Sequence, residues 1–309
     1  MTDPILVTGC PRSGTTWIGK MINLAKHTGY IHEAYNVLVQ KILPGEERPN
    51  QFCLIDDSNE AELATQFDKI MKLQYSFRDQ LEHNHSISNF VNSFITHFKF
   101  RRYRNENYTP LLKDPFVIFS VEWFEKRYNT RPVILTRHPG AIYDSFSRLD
   151  WNIDMERIQS LLDQDSVAHQ IIDESQIIEE TNPSMAKQVG ILWTAIQEQI
   201  AAYQRDHEDW LFIRYEDIFL NLESYFKKIF QYLELDLDDD MLSKIYFYTS
   251  RGYFPKEKSD VDTRLERQDL LSGWKQRLDQ SIIEELQANL GDIYYDYYRK
   301  ENWSSDIQY

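Results

Sequence analysis

A short apolar run, Ile5-Leu6-Val7-Thr8-Gly9, leads directly into Cys10-Pro11-Arg12-Ser13-Gly14-Thr15-Thr16 and then into a stretch from Trp17 to Ala25. In that stretch Trp17, Met21 and Leu24 fall on one face at helical spacing. The order is therefore strand, glycine-bounded loop, helix. The loop has the Gly-x-x-x-x-Gly spacing that cradles a phosphate between a strand and a helix. There, successive backbone amides and the helix N-terminus hold an anion without any net charge.

The remaining chain repeats the alternation. Strands are expected at Gly29–His32, Pro110–Lys113, Pro132–Thr136 and Trp210–Ile213. Helices are expected at Glu60–Leu81, Ile87–Phe98, Phe116–Tyr128, after Arg137-His138-Pro139-Gly140 through Leu149, Ser184–His207, about Leu220–Leu233 and Asp239–Thr249. An acidic helical region is read up to Thr181, and Arg251–Gln268 is read as a long loop. Strands alternating with helices imply right-handed crossovers and ligands at the carboxyl ends of the strands. The expected fold class is α/β: a P-loop-type three-layer fold with a central, mostly parallel sheet and helical insertions. The chain is read as one domain over 1–309, with a nucleotide-binding core of about 3–220 and C-terminal helices and loop over 221–309.

The loop lacks the Gly-Lys-Ser/Thr ending of nucleotide hydrolases. Thr15 stands where their lysine would be, and the cation has moved to Arg12. The lysine is the group that reaches the outer phosphates of ATP, so its absence argues against ATP as a phosphoryl donor. At a second strand-to-helix junction, Arg137 precedes Ser145 by eight residues, about two helical turns. An arginine fork and a hydroxyl there suit a second phosphate. Two separate anion sites fit a nucleotide phosphorylated at both its 5′ and 3′ positions.

Pro-Arg-Ser-Gly-Thr-Thr-Trp (Pro11–Trp17) resembles the 5′-phosphosulfate loop of sulfotransferases that use 3′-phosphoadenosine 5′-phosphosulfate (PAPS). Arg137 to Ser145 resembles their 3′-phosphate motif. Lys113-Asp114-Pro115-Phe116 and Arg214-Tyr215-Glu216-Asp217 also look like family signatures, with a fainter echo at Leu271-Ser272-Gly273-Trp274. The pattern is most similar to the tyrosylprotein sulfotransferases and the broad bacterial family resembling them. The resemblance implies in-line displacement at sulfur, with a base taking the acceptor's proton and cations stabilising the departing 3′,5′-adenosine bisphosphate.

By the same resemblance, Arg12 sits near the 5′-phosphate and the bridging oxygen, and Ser13, Gly14, Thr15, Thr16 and Trp17 line the donor loop. Arg137 and Ser145 take the 3′-phosphate, Tyr215 touches the adenine, and Ser272 lies near the 5′-phosphate. Lys113 contacts the transferring group, and Glu33 falls where the tyrosylprotein enzymes carry their catalytic glutamate. Each has a plainer reading: Glu33 as a helix N-terminal acid, Lys113 as a solvated partner of Asp114, Tyr215 as a core aromatic, and Ser272 as a turn serine. His32 is the neighbouring candidate base; adjacent strand residues face opposite ways, so only one of the pair is expected at the acceptor. Arg148 is one position off the family pattern and is left out.

With 34 basic against 49 acidic residues, the net charge is −15. That weighs against nucleic acid or an anionic membrane as a partner. The segment Ala34-Tyr35-Asn36-Val37-Leu38 lacks basic residues. A carbohydrate, lipid or small-molecule acceptor therefore suits the chain better than an acidic peptide. Cys10 and Cys53 are too few for a disulfide framework and fit a reduced, cytoplasmic protein. No apolar run approaches the roughly 18 residues of a membrane span. The scattered histidines give no metal-ligand spacing, and this transfer needs no metal. The tyrosines at 294, 295, 297 and 298 read as helix packing, with sugar stacking as the alternative. Two other functions stay open on sequence: a phosphoryl transferase with a degenerate loop, and a non-catalytic nucleotide-binding module.

Overall fold

A computed structural model describes residues 3–35, 52, 54–74, 87–151, 153, 155–156, 183–251 and 271–304, with side chains from 94 onward in the helix that begins at Ile87. The readings for 75–81, the acidic stretch to Thr181, the loop at 252–268, Cys53 and Asn36-Val37-Leu38 lie outside these residues.

The strands are β1 (Ile5–Gly9), β2 (Thr28–His32), β3 (Thr109–Lys113), β4 (Arg131–Thr136) and β5 (Leu211–Arg214), and they form one parallel sheet in the order β2-β3-β1-β4-β5. This is the expected α/β class. β1 is buried along its whole length, as an unbroken apolar run in a parallel sheet should be. Ile5 lies opposite Leu111 and Val7 opposite Lys113; Thr28 lies opposite Thr109 and His32 opposite Lys113. That register levels the carboxyl ends of β2 and β3, and β1 runs on past them to Gly9.

The residues group into two compact units, Met1–Gly9 with Thr15–Ile134, and Cys10–Gly14 with Leu135–Tyr309. In the first, α1 (Thr15–Ile22) follows the glycine loop, and α2 (Glu60–Met71) and α3 (Ile87–Asn105) come between β2 and β3. The expected helix over Phe116–Tyr128 is a 3-10 turn, Pro115–Ser120, followed by α4 (Val121–Tyr128). Asp114 caps the turn by accepting from the Phe116 amide, and Pro115 occupies its first position. Phe67 is fully buried, stacked on Tyr35 and meeting Phe124 edge-on at 4.8 Å between ring centres.

The second unit contains α5 (Pro139–Leu149), α6 (Met185–Asp206), α7 (Tyr215–Leu220), α8 (Leu222–Tyr232), α9 (Asp239–Arg251), α10 (Trp274–Arg277), α11 (Gln280–Ala288), α12 (Tyr294–Tyr297) and a 3-10 turn, Lys300–Trp303. The helix expected at about Leu220–Leu233 is α8, and the short α7 precedes it. Asn221 leaves helical geometry (φ −144°) and its side chain accepts from the Ser224 amide to start α8. Ser184, read as the first residue of this helix, caps α6 by accepting from the Lys187 amide at 3.1 Å. Tyr294 and Tyr298 are buried against His138, and Tyr294 also stacks on Trp303, which is the packing role. No described helix is long and apolar enough to cross a membrane.

Candidate active site

Within the first unit, chemistry gathers at the ends of β2 and β3. Lys113 ends β3 with its side chain fully buried, and its ammonium donates to the carboxylate of Glu33, which is 15% exposed. The Glu33 amide donates to the Lys113 carbonyl at 2.7 Å. Helix α1 lies against the Lys113 stem: a Cβ on Gly19 would come within 3.2 Å of it and 3.0 Å of the Tyr30 ring. Glu33 has φ +42°, a left-handed conformation that costs a non-glycine residue and signals that the surroundings impose it. Strand alternation therefore ends at His32, whose Nε2 lies 3.9 Å from the Glu33 carboxylate. The opposite-face argument does not separate the two candidate bases. The His32 Nδ1 is held by the Tyr30 hydroxyl at 3.2 Å.

Asp114, which spacing left as a bystander, braces this corner. One carboxylate oxygen accepts from the Tyr35 amide at 2.7 Å and the other from the Phe116 amide at 3.0 Å. Burial, and then the Glu33 charge, push its carboxyl up to about 7 against those two N–H donors. Thr15 and Trp17 are buried in α1, and the Thr8 hydroxyl at the end of β1 has no partner among the described residues.

Within the second unit, Cys10–Gly14 forms the loop itself. Arg12 and Gly14 have φ of +69° and +93°, and Gly9 just before has +141°. The Ser13 amide closes a turn onto the Cys10 carbonyl at 3.0 Å. The Ser13 hydroxyl is fully buried with no partner among the described residues; a buried hydroxyl in that condition suits a polar ligand at the loop. Cys10 is buried, and burial drives its thiol pKa far up, so it stays an inert thiol.

Two arginines converge there. The Arg12 Nε donates to the Ser145 Oγ at 2.8 Å, and the Arg137 Nη1 donates to the Arg12 carbonyl at 3.0 Å. The Arg137 guanidinium carbon lies 4.3 Å from the centre of the Tyr215 ring, in cation–π range. A Cβ on Gly14 would fall 2.4 Å from that same ring. The structure thus brings Arg12, Ser13, Gly14, Arg137, Ser145 and Tyr215 together. Tyr215 is only 4% exposed, and burial raises its phenol pKa against the pull of Arg137.

Residues that spacing did not single out hold this cluster. Glu216 accepts from the His138 amide and from the Tyr298 hydroxyl, both at 2.9 Å. The Trp193 indole donates to the Arg137 carbonyl at 2.8 Å. The His138 Nδ1 accepts from the Gly140 amide at 3.2 Å, so its proton sits on Nε2, toward Tyr294; burial keeps the ring neutral. Trp274 stacks on His138 and seats on Gly140, where a Cβ would clash at 2.3 Å. Ser272 sits in the turn before Trp274, its carbonyl accepting from the Lys275 amide at 2.9 Å. Arg277 grips Asp144 through a fork at 2.8 and 2.9 Å. Arg148 also pairs with Asp144, at 3.3 Å. Asp114 and Glu216 each stand in a segment that resembles a family signature, but the resemblance gives neither a role there.

The family model for the sulfotransferase domain matches residues 2–296. No curated protein matches the chain. Among solved structures, the sulfotransferase domain from the Synechococcus PCC 7002 olefin synthase is similar at 16% identity and a TM-score of 0.47, covering 96% of each chain. The sulfotransferase domain from the curacin biosynthetic pathway is similar at 13% identity and 0.45, covering 96% of this chain and 97% of its own. Mouse sulfotransferase SULT7A1 complexed with PAP shows 12% identity and 0.44, with coverage of 96% and 84%. The family match, spanning nearly the whole sequence, carries the assignment: the chain belongs to the sulfotransferase domain family.

Proposed function

We propose that the chain moves a sulfonyl group from PAPS to a hydroxyl or amine acceptor by in-line displacement, as one catalytic domain over 1–309. The observation that carries this reading is the cluster of Arg12, Arg137 and Ser145 at the glycine loop, a concentration of positive charge in a chain of net −15. Loop amides with the Ser13 hydroxyl, Gly14, Thr15 and Thr16 hold the 5′ end of the donor. Arg137 and Ser145 hold its 3′-phosphate, with Tyr215, Trp17 and Ser272 lining the nucleotide.

Glu33 is the proposed base. The acceptor's lone pair forms the new bond to sulfur while the bond from sulfur to the bridging oxygen breaks. That electron pair leaves on 3′,5′-adenosine bisphosphate, and the acceptor proton passes to the Glu33 carboxylate. Lys113 orients that carboxylate and supplies positive charge to the transferring group. The net charge of −15 and the lack of basic residues in the sequence Ala34–Leu38 favour a carbohydrate, lipid or small-molecule acceptor over an acidic peptide.

Glu33→Gln tests the assignment, because the amide keeps shape and removes proton acceptance. Turnover with any accepted acceptor should fall by roughly 10²–10⁴ while nucleotide affinity stays near wild type. Full turnover in Glu33→Gln with loss in His32→Ala moves the base to His32.

A further inference from the structure

We propose that the outward face of α3 (Ile87–Asn105) docks the protein onto an anionic lipid bilayer. Phe94, Ile95 and Phe98 enter the headgroup boundary, and the arginines behind them meet lipid phosphates. The proposal does not depend on the donor reading above.

The helix divides by face. Phe100 and Tyr103 are buried, and Tyr103 seats on the edge strand β2, 3.2 Å from where a Cβ on Gly29 would stand. The opposite stripe runs through Phe94, Ile95, Phe98, Arg101 and Arg102, at the i, i+1, i+4, i+7, i+8 spacing of one helical face. Phe94, Ile95 and Phe98 are 49%, 60% and 48% exposed, and the two phenyl rings meet edge-on at 4.7 Å. Three large apolar side chains side by side in water mark a contact surface rather than scattered exposure.

Charge selects the partner. The 19 residues of α3 include Lys99, Arg101, Arg102 and Arg104 and no acid. Lys99 lies over the Tyr103 ring, and Arg102 pairs with Glu106 at 3.1 Å. Arg101 and Arg104 are exposed and make no ion pair among the described residues. The turn before β2 brings exposed Lys26 to the same corner: the ring of its neighbour His27 meets Tyr108 edge-on at 5.1 Å, and the Arg102 guanidinium lies 6.0 Å over that Tyr108 ring. A run of cations beside exposed aromatics on one helix is the composition of segments that lie in a bilayer interface. A nucleic acid duplex would take the cations and leave the apolar stripe in water. An apolar protein partner would cover the stripe and strip water from unpaired cations. The net charge of −15 opposes attraction at a distance. Screening confines that field to about 8 Å at physiological ionic strength, so at contact the local cations decide.

The test is flotation of the full chain with phosphatidylcholine vesicles, and with vesicles in which roughly a third of the lipid is phosphatidylglycerol. Wild type should float with the anionic vesicles and not with the neutral ones, and added salt should weaken the binding. The double variant Arg101→Glu with Arg104→Glu should bind more than about tenfold more weakly, since each cation near the surface contributes roughly fivefold. Phe98→Ser should lose about fivefold and keep its salt dependence. These side chains are exposed, so urea unfolding should change little; Arg101→Gln with Arg104→Gln repeats the test with a gentler change and should fall between. The proposal is overturned if wild type ignores anionic vesicles, floats equally with neutral ones, or binds no better than the charge-reversed variant. Binding of duplex DNA without binding of vesicles overturns it as well. A lipid-free dimer that Phe98→Ser dissociates would assign the face to a second copy of the chain and overturn it too.

Discussion

The guanidinium of Arg137 lies over Tyr215, 4.3 Å from the ring centre to the central carbon, and that ring in turn fills the space above Gly14. A cation from the end of β4, an aromatic from the end of β5 and a loop glycine thus form one stack. Tyr215 serves both as a buried packing residue and as the platform for the cation, so the two readings that sequence left open for it are not exclusive.

Arg137→Ala should weaken binding of 3′,5′-adenosine bisphosphate by more than about tenfold, since a charge-assisted contact contributes roughly 1.5–3 kcal/mol. Thermal stability without ligand should fall modestly, because the bond to the Arg12 carbonyl and the contact with the Tyr215 ring are lost while the Trp193 bond to the Arg137 carbonyl is kept. Calorimetric titration of the purified variant checks both points, and an unchanged affinity removes Arg137 from the site.

Gly14→Ala should both destabilise the chain and weaken nucleotide binding. Its φ of +93° penalises any Cβ, and that Cβ would press into Tyr215 at 2.4 Å. The combined cost is of order 1–4 kcal/mol. Tyr215→Leu in the same chain should recover the packing part and leave the backbone part, a coupling readable from a double-mutant cycle of denaturation free energies. Strictly additive effects would mean that the ring and the loop are independent.

The strand–loop–helix opening was legible because three local signals coincide: an apolar run, a glycine pair and helical spacing after Trp17. Arg137 and Ser145 were legible because eight residues is about two helical turns. The braces were not. Asp114 acts through the Tyr35 amide, Glu216 through the His138 amide, and Trp274 through the bare face of Gly140. Such contacts depend on tertiary approach rather than on any periodicity. The face assignment of His32 and Glu33 failed for a related reason: alternation presumes extended backbone, and Glu33 is left-handed.

Asp114 should impose a pH dependence on stability. Its folded carboxyl is raised to about 7, above the ordinary value near 4. Between those values the folded chain keeps a proton that the unfolded chain has released, so stability falls as pH rises through the window and levels off above it, by at most about 4 kcal/mol. Glu216 shifts in the same direction and His138 in the opposite one, so the contribution is read as a difference from Asp114→Asn. In urea unfolding between about pH 4 and 8, the stability advantage of wild type over the variant should shrink with rising pH. Parallel curves would contradict the buried, proton-holding carboxyl.

The central claim is that this loop and its arginines bind an adenosine bisphosphate rather than ATP. Thermal unfolding of the wild-type chain with saturating 3′,5′-adenosine bisphosphate, set beside ATP with Mg²⁺, tests it directly. At about a hundred times the Kd, a ligand that binds only the folded state adds roughly 2.7 kcal/mol. The account predicts a rise in Tm of several degrees with the bisphosphate and little or none with ATP and Mg²⁺. Stabilisation by ATP and Mg²⁺ with no response to the bisphosphate would contradict it.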